Sequence, residues 1–260
     1  MPDPGTGPQP PPERGRPRIQ ACLNGARPLG FHPALPLAPE ALAREAAACA
    51  AAGAVALHLH PRDAEGRETL RPDLVGAAVA AVRAASALPV SVSTGEWILR
   101  DDPARRAAVA GWGRLEDGVP DVASVNLEEA DAPAVMRALG AAGIGVEAGL
   151  ASREDADRFL ALGIACRRVL VEIPDMPEDA ALRLACRILD RLDEAGHPAE
   201  RQLHGQEASV WPCFRLAMRR GLMGRLGLED GEHLPDGTRA VDSAAILRAG
   251  MTLAANLTKG

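Results

Sequence analysis

Short runs in which apolar and polar residues alternate recur along the chain, and each is followed by a longer stretch with helical spacing. Alternation with a period of two is typical of β-strands, whereas apolar residues three and four apart indicate helices. The strand-type runs are residues 19–25, 54–60, 88–94, 122–127, 144–149, 167–173, 201–206 and 224–230. Helical stretches are residues 72–86, 132–142, 153–162, 177–195, 209–220 and 240–257, with a shorter one near 103–110.

A further helix lies between the first two strands. Pro39 and Glu40 begin it with proline and an acidic residue in the first turn, and Gly53 ends it just after the last helical residue. The stretch 177–195 is amphipathic, with leucine, isoleucine and alanine on one face and charged residues largely on the other.

Eight strand–helix units in a chain of 260 residues predict an α/β fold, the (β/α)8 TIM barrel. A doubly wound open sheet needs fewer units and usually a glycine-rich first turn. The nearest such motif, residues 143–149, has the wrong spacing and overlaps a strand. We therefore predict a single barrel domain over residues 19–260, preceded by a disordered tail rich in proline and glycine over residues 1–18.

Strand alternation also predicts which side chains face the barrel axis. The apolar side chains of each strand face the helices, which carry complementary apolar stripes, so the polar set faces inward. That inward set crowds towards the carboxyl ends of the strands, where barrel enzymes carry their active sites. It comprises His58, His60, Ser91, Ser93, Ser124, Asn126, Glu147, Arg225 and Glu229.

Composition excludes several kinds of chemistry. Lys259 is the one lysine in the chain, so Schiff-base aldolases, pyridoxal-phosphate enzymes and P-loop NTPases, which need an internal lysine, are excluded. Tyrosine is absent, so no phenol serves as a general acid. The net charge of −6 and the lack of a basic stretch argue against nucleic acid as a partner.

The five cysteines are scattered and include no C-x-x-C pair, which argues against a disulfide framework or a cysteine-based zinc site. The first residues contain no apolar signal segment, and no apolar run is long enough to span a membrane. We therefore expect a cytoplasmic protein with reduced thiols and no membrane partner.

The sequence His58-Leu59-His60 places two imidazoles on one strand face, about 6–7 Å apart along the strand. Two such groups can bind one metal, and Glu229 on the last strand is the best candidate for a third ligand. For an isolated H-x-H, a hydrogen-bonded pair of barrel histidines is the commoner explanation. The inward glutamate and the lack of an internal lysine favour a catalytic zinc site.

Arg225 and Asp230 flank Glu229. They can be a catalytic carboxylate base and the guanidinium that lowers its pKa and orients it. An Arg–Asp ion pair that merely closes the barrel mouth explains the same spacing equally well.

Other strand ends carry small polar groups suited to an oxygen-rich substrate, although each is also typical of helix caps and turns. Glu147 is either a hydrogen-bonding partner of a ligand histidine or a substrate contact. His204 can bind a ligand or cap the loop that follows it. The candidate substrate-binding residues are Arg27, Thr94, Gly95, Ser124, Asn126 and Glu147.

Several motifs, in this order, resemble the β-keto acid cleavage enzyme family, which includes 3-keto-5-aminohexanoate cleavage enzymes. The resemblance covers essentially residues 19–250. It rests on NGAR (24–27), HLHPRD (58–63), STG (93–95), SVN (124–126), VEAG (146–149), HGQ (204–206) and GLED (227–230).

The resemblance implies a zinc-dependent barrel, a homo-oligomer (tetramer or dimer), that transfers an acyl group between a β-keto acid and CoA. A β-keto acid and acetyl-CoA would give acetoacetate and a new acyl-CoA. By position, the zinc ligands would be His58, His60 and Glu229, the base pair Asp230 and Arg225, and the catalytic hydroxyl that of Ser93. Asn126 and Glu147 occupy matching inner positions.

One residue departs from the family pattern. Members that process amines have a glutamate where this chain has Arg27, so we expect the distal end of the substrate to be neutral or anionic. Alternatively, Arg27 turns away and pairs with an acidic loop residue such as Asp63.

Two other functions remain open. A metal-dependent hydrolase or lyase also uses H-x-H, but typically on the first strand with further His and Asp ligands later. A non-catalytic metal-binding barrel would be expected to lose ligands, and all three candidates are present here.

Overall fold

In the computed structural model, which describes residues 17–257, eight parallel strands pair in chain order and close into a barrel. The strands are β1 (Ile19–Cys22), β2 (Ala56–Leu59), β3 (Val90–Ser93), β4 (Val122–Asn126), β5 (Gly145–Leu150), β6 (Arg168–Ile173), β7 (Glu200–Gly205) and β8 (Met223–Leu226). The barrel closes where β1 pairs with β8, with Ile19 opposite Gly224. The predicted (β/α)8 TIM barrel is confirmed.

A helix follows each strand. The helices are α1 (Pro39–Ala51), α2 (Pro72–Ala85), α3 (Asp102–Trp112), α4 (Ala132–Ala141), α5 (Arg153–Leu162), α6 (Glu178–Glu194), α7 (Val210–Arg219) and α8 (Ser243–Leu257), and a single 3-10 turn (Glu207–Ser209) precedes α7. Helix α1 begins at Pro39 as predicted, and Gly53 just beyond its end has a φ of +103°. Ser152 begins α5 by accepting a hydrogen bond from the Asp155 N–H.

The side chains of the strands alternate between the helices and the barrel axis. On β2 and β3, Leu57, Leu59, Val90 and Val92 are buried against the helices. The polar side chains between them face the axis, where His58 lies in register with Ser91 of the neighbouring strand. On these two strands the predicted alternation of inward polar and outward apolar side chains is therefore observed.

The first and last strands are shorter than predicted. Residues 23–25 and 227–230 are not strand, so Glu229 lies in a turn beyond β8 and Arg27 lies in a loop well beyond β1. The reason is the close passage of the two chain segments. A Cβ on Gly227 would lie 1.9 Å from the carbonyl oxygen of Cys22, so only glycine lets the chain turn here.

A polar network fills the amino-terminal half of the barrel interior. Glu147 is fully buried, and its carboxylate accepts hydrogen bonds from Ser91, Arg168 and, at 3.3 Å, Gln20. Gln202 in turn donates to Gln20 over 2.8 Å. Burial opposes ionisation of Glu147, but Arg168, His58 and the hydrogen bond from Ser91 together outweigh it and lower the pKa of this carboxyl to about 2. The amino-terminal end of the barrel interior therefore contains a buried ion pair and not a layer of apolar side chains.

The predicted tail, residues 1–18, lies outside the described residues except for Pro17 and Arg18. Arg18 pairs with Glu200 at the start of β7. Within residues 17–257, no helix has both the length and the apolar character required to cross a membrane.

Replacing Arg168 with methionine should destabilise the fold strongly, because the buried Glu147 carboxylate would lose its cation. Breaking a buried pair from one side costs about 3–5 kcal/mol, and we expect a loss of that size in the free energy of unfolding measured in urea.

The matched control is Arg153→Met, because Arg153 pairs with Glu194 on the surface and both side chains are about half exposed (42% and 60%). Its loss should be below about 1 kcal/mol. Neutralising Glu147 as well, in Glu147→Gln/Arg168→Met, should recover part of the stability. Equal losses of unfolding free energy in Arg168→Met and Arg153→Met would contradict the view that Arg168 compensates a buried charge on Glu147.

Candidate active site

Two histidines and one glutamate meet at the carboxyl end of the barrel. His58 faces inward from β2, His60 follows that strand, and Glu229 reaches them from the turn after β8. The Nε2 atoms of the two imidazoles are 3.1 Å apart, and Glu229 Oε1 lies 3.6 and 3.5 Å from those of His58 and His60. The three side chains therefore form a compact cluster of the ligand types that zinc and related metals prefer.

Two glycines bring Glu229 to this position. Gly25, in the loop after β1, has a φ of +55°, and a Cβ there would lie 2.2 Å from Glu229 Cγ. Gly227 provides the turn described above. The second carboxylate oxygen of Glu229, Oε2, is buried and has no hydrogen-bond partner among the described residues. A buried, unpartnered carboxylate oxygen beside two imidazole nitrogens fits a metal ligand set.

Hydrogen bonds orient both imidazoles with Nε2 towards the cluster. Ser91 donates its proton to Glu147, so its oxygen is left to accept from His58 Nδ1, 3.2 Å away. His60 Nδ1 bonds the Glu68 carboxylate. Because a proton on Nδ1 leaves the Nε2 lone pair free, both rings are arranged as metal ligands usually are.

Glu68 was not identified from the sequence. It lies in the loop between β2 and α2, which folds back so that Glu68 pairs with Arg62 in an isolated antiparallel bridge. Trp97 also donates to Glu68, over 3.0 Å, and its ring stacks on His60. No periodic pattern marks Glu68, because the tertiary fold of this loop alone brings it to His60.

The electrostatics favour a cation at the cluster. Burial lowers the pKa of His58 to about 4, so this imidazole is neutral. Burial also opposes protonation of His60, but Glu229 and Glu68 outweigh it and raise its pKa to about 9. Burial opposes ionisation of Glu229 as well, yet Arg225 and the two histidines hold its pKa well below the usual range. A bound metal would replace the proton on His60.

Arg225 and Asp230 are in contact, as the sequence suggested. The Arg225 guanidinium bonds Glu229, and its Nε lies 3.3 Å from Asp230 Oδ1. Asp230 is 1% exposed and lies behind Arg225, outside the cavity wall. Arg225 therefore links the candidate metal ligand to the candidate base.

His204 joins two carboxylates. Its Nδ1 is 3.1 Å from Asp230 Oδ1, and its Nε2 is 3.5 Å from Oε2 of Glu172, a residue that was not singled out from the sequence. Burial and Arg225 lower the pKa of His204, but Asp230 and Glu172 outweigh them, so the net shift is upward. His204 does not cap the following loop; it connects Asp230 to a carboxylate that lines the cavity.

The predicted catalytic hydroxyl and the predicted substrate-binding residues divide into those that line a cavity and those that do not. Ser93, Ser124 and Asn126 line a cavity of about 320 Å³ above the cluster. Thr94 does not, because its hydroxyl donates to the Ser124 carbonyl and ties β3 to β4. The other lining residues are Ala26, Arg27, Pro28, His58, His60, Trp97, Glu172, Gln206, Glu207, Arg225 and Glu229.

Gly95 and Glu147 also lie outside the cavity wall. A Cβ on Gly95 would lie 2.3 Å from the Trp97 ring, so this glycine provides the space that lets Trp97 fold back over the site. Glu147 acts through Ser91 on His58, which agrees with a partner of a ligand histidine and not with a substrate contact.

Arg27 points into the site but is not a free cation. Its guanidinium pairs with Glu207, and its Nε donates to the Glu229 carbonyl over 2.9 Å. Asp63, the alternative partner considered from the sequence, pairs with Arg67 instead. Because Glu207 offsets its charge, Arg27 is a weaker determinant of substrate charge than the sequence suggested.

Comparisons with known proteins support the family resemblance and the fold. A profile described as beta-keto acid cleavage enzyme matches residues 18–259. The barrel is similar to apo ObcA (TM-score 0.66, 18% identity) and to a ternary complex of ObcA with a C4-CoA adduct and oxalate (TM-score 0.66, 19% identity). These matches cover 83% of this chain and 61% and 62% of the ObcA chains.

A dihydropteroate synthase from Yersinia pestis, in complex with a sulfonamide drug, is also similar, with a TM-score of 0.55 and 14% identity. That match covers 94% of this chain and 95% of the synthase. The chain thus spans less than two thirds of the length of ObcA, and similarity at such low identity concerns the fold.

Replacing Glu68 with glutamine should weaken zinc binding by about 10–100-fold, because an amide no longer fixes the His60 ring through a charge-assisted hydrogen bond. The measurement is a zinc titration against a chromophoric chelator at constant pH. The control is Glu65→Gln, since Glu65 lies in the same loop, is mostly exposed and pairs only with Arg67 among the described residues. Equal zinc affinity in the two variants would contradict the role assigned to Glu68.

Proposed function

Because the chain belongs to the β-keto acid cleavage enzyme family, we propose that it condenses a β-keto acid with acetyl-CoA. The products are acetoacetate and the acyl-CoA of the remaining chain: R-CO-CH₂-COO⁻ and CH₃-CO-SCoA give R-CO-SCoA and CH₃-CO-CH₂-COO⁻. The observation that carries this proposal is the His58–His60–Glu229 cluster at the base of a polar cavity. The enzyme is thus an acyltransferase that breaks and forms carbon–carbon bonds.

Zinc is the metal that we assign to the cluster. Two imidazoles and one carboxylate match the three protein ligands of a catalytic zinc site, which leaves a position open for substrate. When bound there, zinc would act as a Lewis acid towards the keto and carboxylate oxygens of the β-keto acid.

Asp230 and Arg225 together form the proposed general base. Because Asp230 lies behind Arg225, the proton from the carbon between the keto and carboxylate groups would reach Asp230 through the Arg225 guanidinium, which lines the cavity, and would later return by the same route. The Nε of Arg225 lies 3.3 Å from Asp230 Oδ1 and holds this carboxylate in place. The Nδ1 of His204 lies 3.1 Å from the same oxygen. Together they keep Asp230 in one orientation beside the metal ligand Glu229.

Ser93 is the proposed catalytic hydroxyl. Its side chain faces the cavity, and its oxygen accepts a hydrogen bond from the Gly95 N–H over 3.2 Å. The hydroxyl proton therefore remains available to a substrate oxygen, and it would stabilise the oxyanion that forms when carbon attacks the thioester carbonyl. Ser124 and Asn126 would hold the remaining polar atoms of the substrate.

The proposed partners are a β-keto acid and a CoA thioester. The C4-CoA adduct and oxalate in the ObcA complex support a CoA thioester and a small carboxylic acid as ligands. We further propose a cytoplasmic homo-oligomer, a dimer or tetramer, as the resemblance to the family implies.

The proposal predicts acetoacetate release from a panel of β-keto acids of different chain length, incubated with acetyl-CoA and the zinc-loaded protein. Asp230→Asn should retain zinc but lose about 100-fold or more in kcat, because an amide cannot accept the proton. Acetoacetate is followed by coupled reduction, and zinc is measured by elemental analysis.

Hydrolysis of a substrate without acetoacetate would instead indicate a metal-dependent hydrolase. A near-normal kcat in Asp230→Asn would mean that the pair with Arg225 is only structural. Asp236→Asn serves as the matched control, because Asp236 is exposed, bonds Thr238 and lies outside the cavity wall.

A further inference from the structure

Glu172 faces the cavity from the side opposite the metal cluster. It lies on β6, and its side chain points inward, where it is one quarter exposed. In the closed barrel of eight strands, β6 is four strands away from β2, which carries His58. A substrate whose head group lies at the cluster therefore extends its chain across the mouth towards Glu172.

The charge environment of Glu172 differs from that of the other acidic residues in the cavity wall. Glu229 pairs with Arg225, and Glu207 pairs with Arg27. Within the described residues, the one ion-pair contact of Glu172 is with His204 Nε2, at 3.5 Å. That contact engages Oε2, which leaves Oε1 as an acceptor without a guanidinium partner.

A glycine on the neighbouring strand makes room for this acceptor. A Cβ on Gly149 would lie 2.5 Å from Glu172 Oε1 and 3.0 Å from Asn126 Oδ1. Because Gly149 has no side chain, the carboxylate leans across β5 towards the Asn126 amide. Two oxygen acceptors therefore face the same part of the cavity, an arrangement that suits a hydrogen-bond donor and leaves an alkyl chain without polar contacts.

We propose that Glu172 accepts a hydrogen bond from a hydroxyl group on the acyl chain of the β-keto acid, and that it selects hydroxylated substrates over plain alkyl ones. This inference rests on the proposed function, which sets the substrate head at the metal cluster. A neutral donor fits better than an ammonium group. His204, whose pKa is raised, already lies 3.5 Å from the carboxylate, so a second cation there would face a positive charge.

The test compares the binding of 3-oxohexanoate with that of its 5-hydroxy, 6-hydroxy and 5-amino derivatives. Titration calorimetry with the zinc-loaded protein gives each Kd in the absence of acetyl-CoA. A hydrogen bond to a charged acceptor should make the better hydroxy acid bind about tenfold or more tightly than the alkyl acid. The 5-amino derivative should bind no more tightly than 3-oxohexanoate.

Three variants isolate the role of Glu172. Glu172→Leu should abolish the preference for the hydroxy acid, and Glu172→Gln, which preserves the shape of the side chain, should reduce it. Glu178→Gln should keep it, because Glu178 is exposed in the first turn of α6 and lies outside the cavity wall. Folding of each variant is checked by its zinc content and thermal midpoint.

Each result decides between the two proposals. Equal binding of hydroxy and alkyl acids to wild type, a preference for the amine, or an unchanged ratio in both Glu172 variants would overturn this inference and leave the proposed function intact. Selective binding without acetoacetate formation would overturn the proposed reaction but support the hydroxyl-binding role. No binding of any of these acids would contradict both.

Discussion

The ionised Glu147 carboxylate on the barrel axis is the group around which the polar interior is arranged. A buried charge is costly unless it is paired and hydrogen-bonded, and here Arg168, Ser91 and Gln20 supply those contacts. The hydrogen bond from Ser91 also affects the carboxyl end of the barrel, where the metal cluster lies. Since Ser91 gives its proton to Glu147, it can accept from His58 Nδ1, which leaves Nε2 facing the cavity. The buried polar network therefore orients a side chain of the metal cluster.

The upper part of the site depends instead on loops held against one another. Gly25 and Gly227 permit the close approach of the loops after β1 and β8, which brings Glu229 between the two histidines. Glu68 fixes His60 from the loop after β2. These contacts hold the side chains of the site in position before any ligand binds. A metal centre and a general base both need such preorganisation.

The fold and the inward position of His58 could be predicted from the sequence because both follow from side-chain alternation. The sequence predicts Glu229 as an inward residue of the last strand, but it reaches the histidines from a turn beyond β8. The same alternation explains one assignment that the geometry does not support. Thr94 follows the inward Ser93, so it points away from the cavity, although the STG motif grouped the two as substrate-binding candidates. Glu172 could also have been found, since it alternates with the outward Val171 and Ile173. Glu68 could not, because its position depends on how a loop folds back.

The most direct test of this account is anomalous X-ray diffraction at the zinc edge, from crystals of the protein grown with zinc. The account predicts one strong peak per chain, within bonding distance of His58 Nε2, His60 Nε2 and a carboxylate oxygen of Glu229, at about 2.0–2.2 Å from each. A map without a peak between these three side chains, or with zinc bound elsewhere, would contradict it.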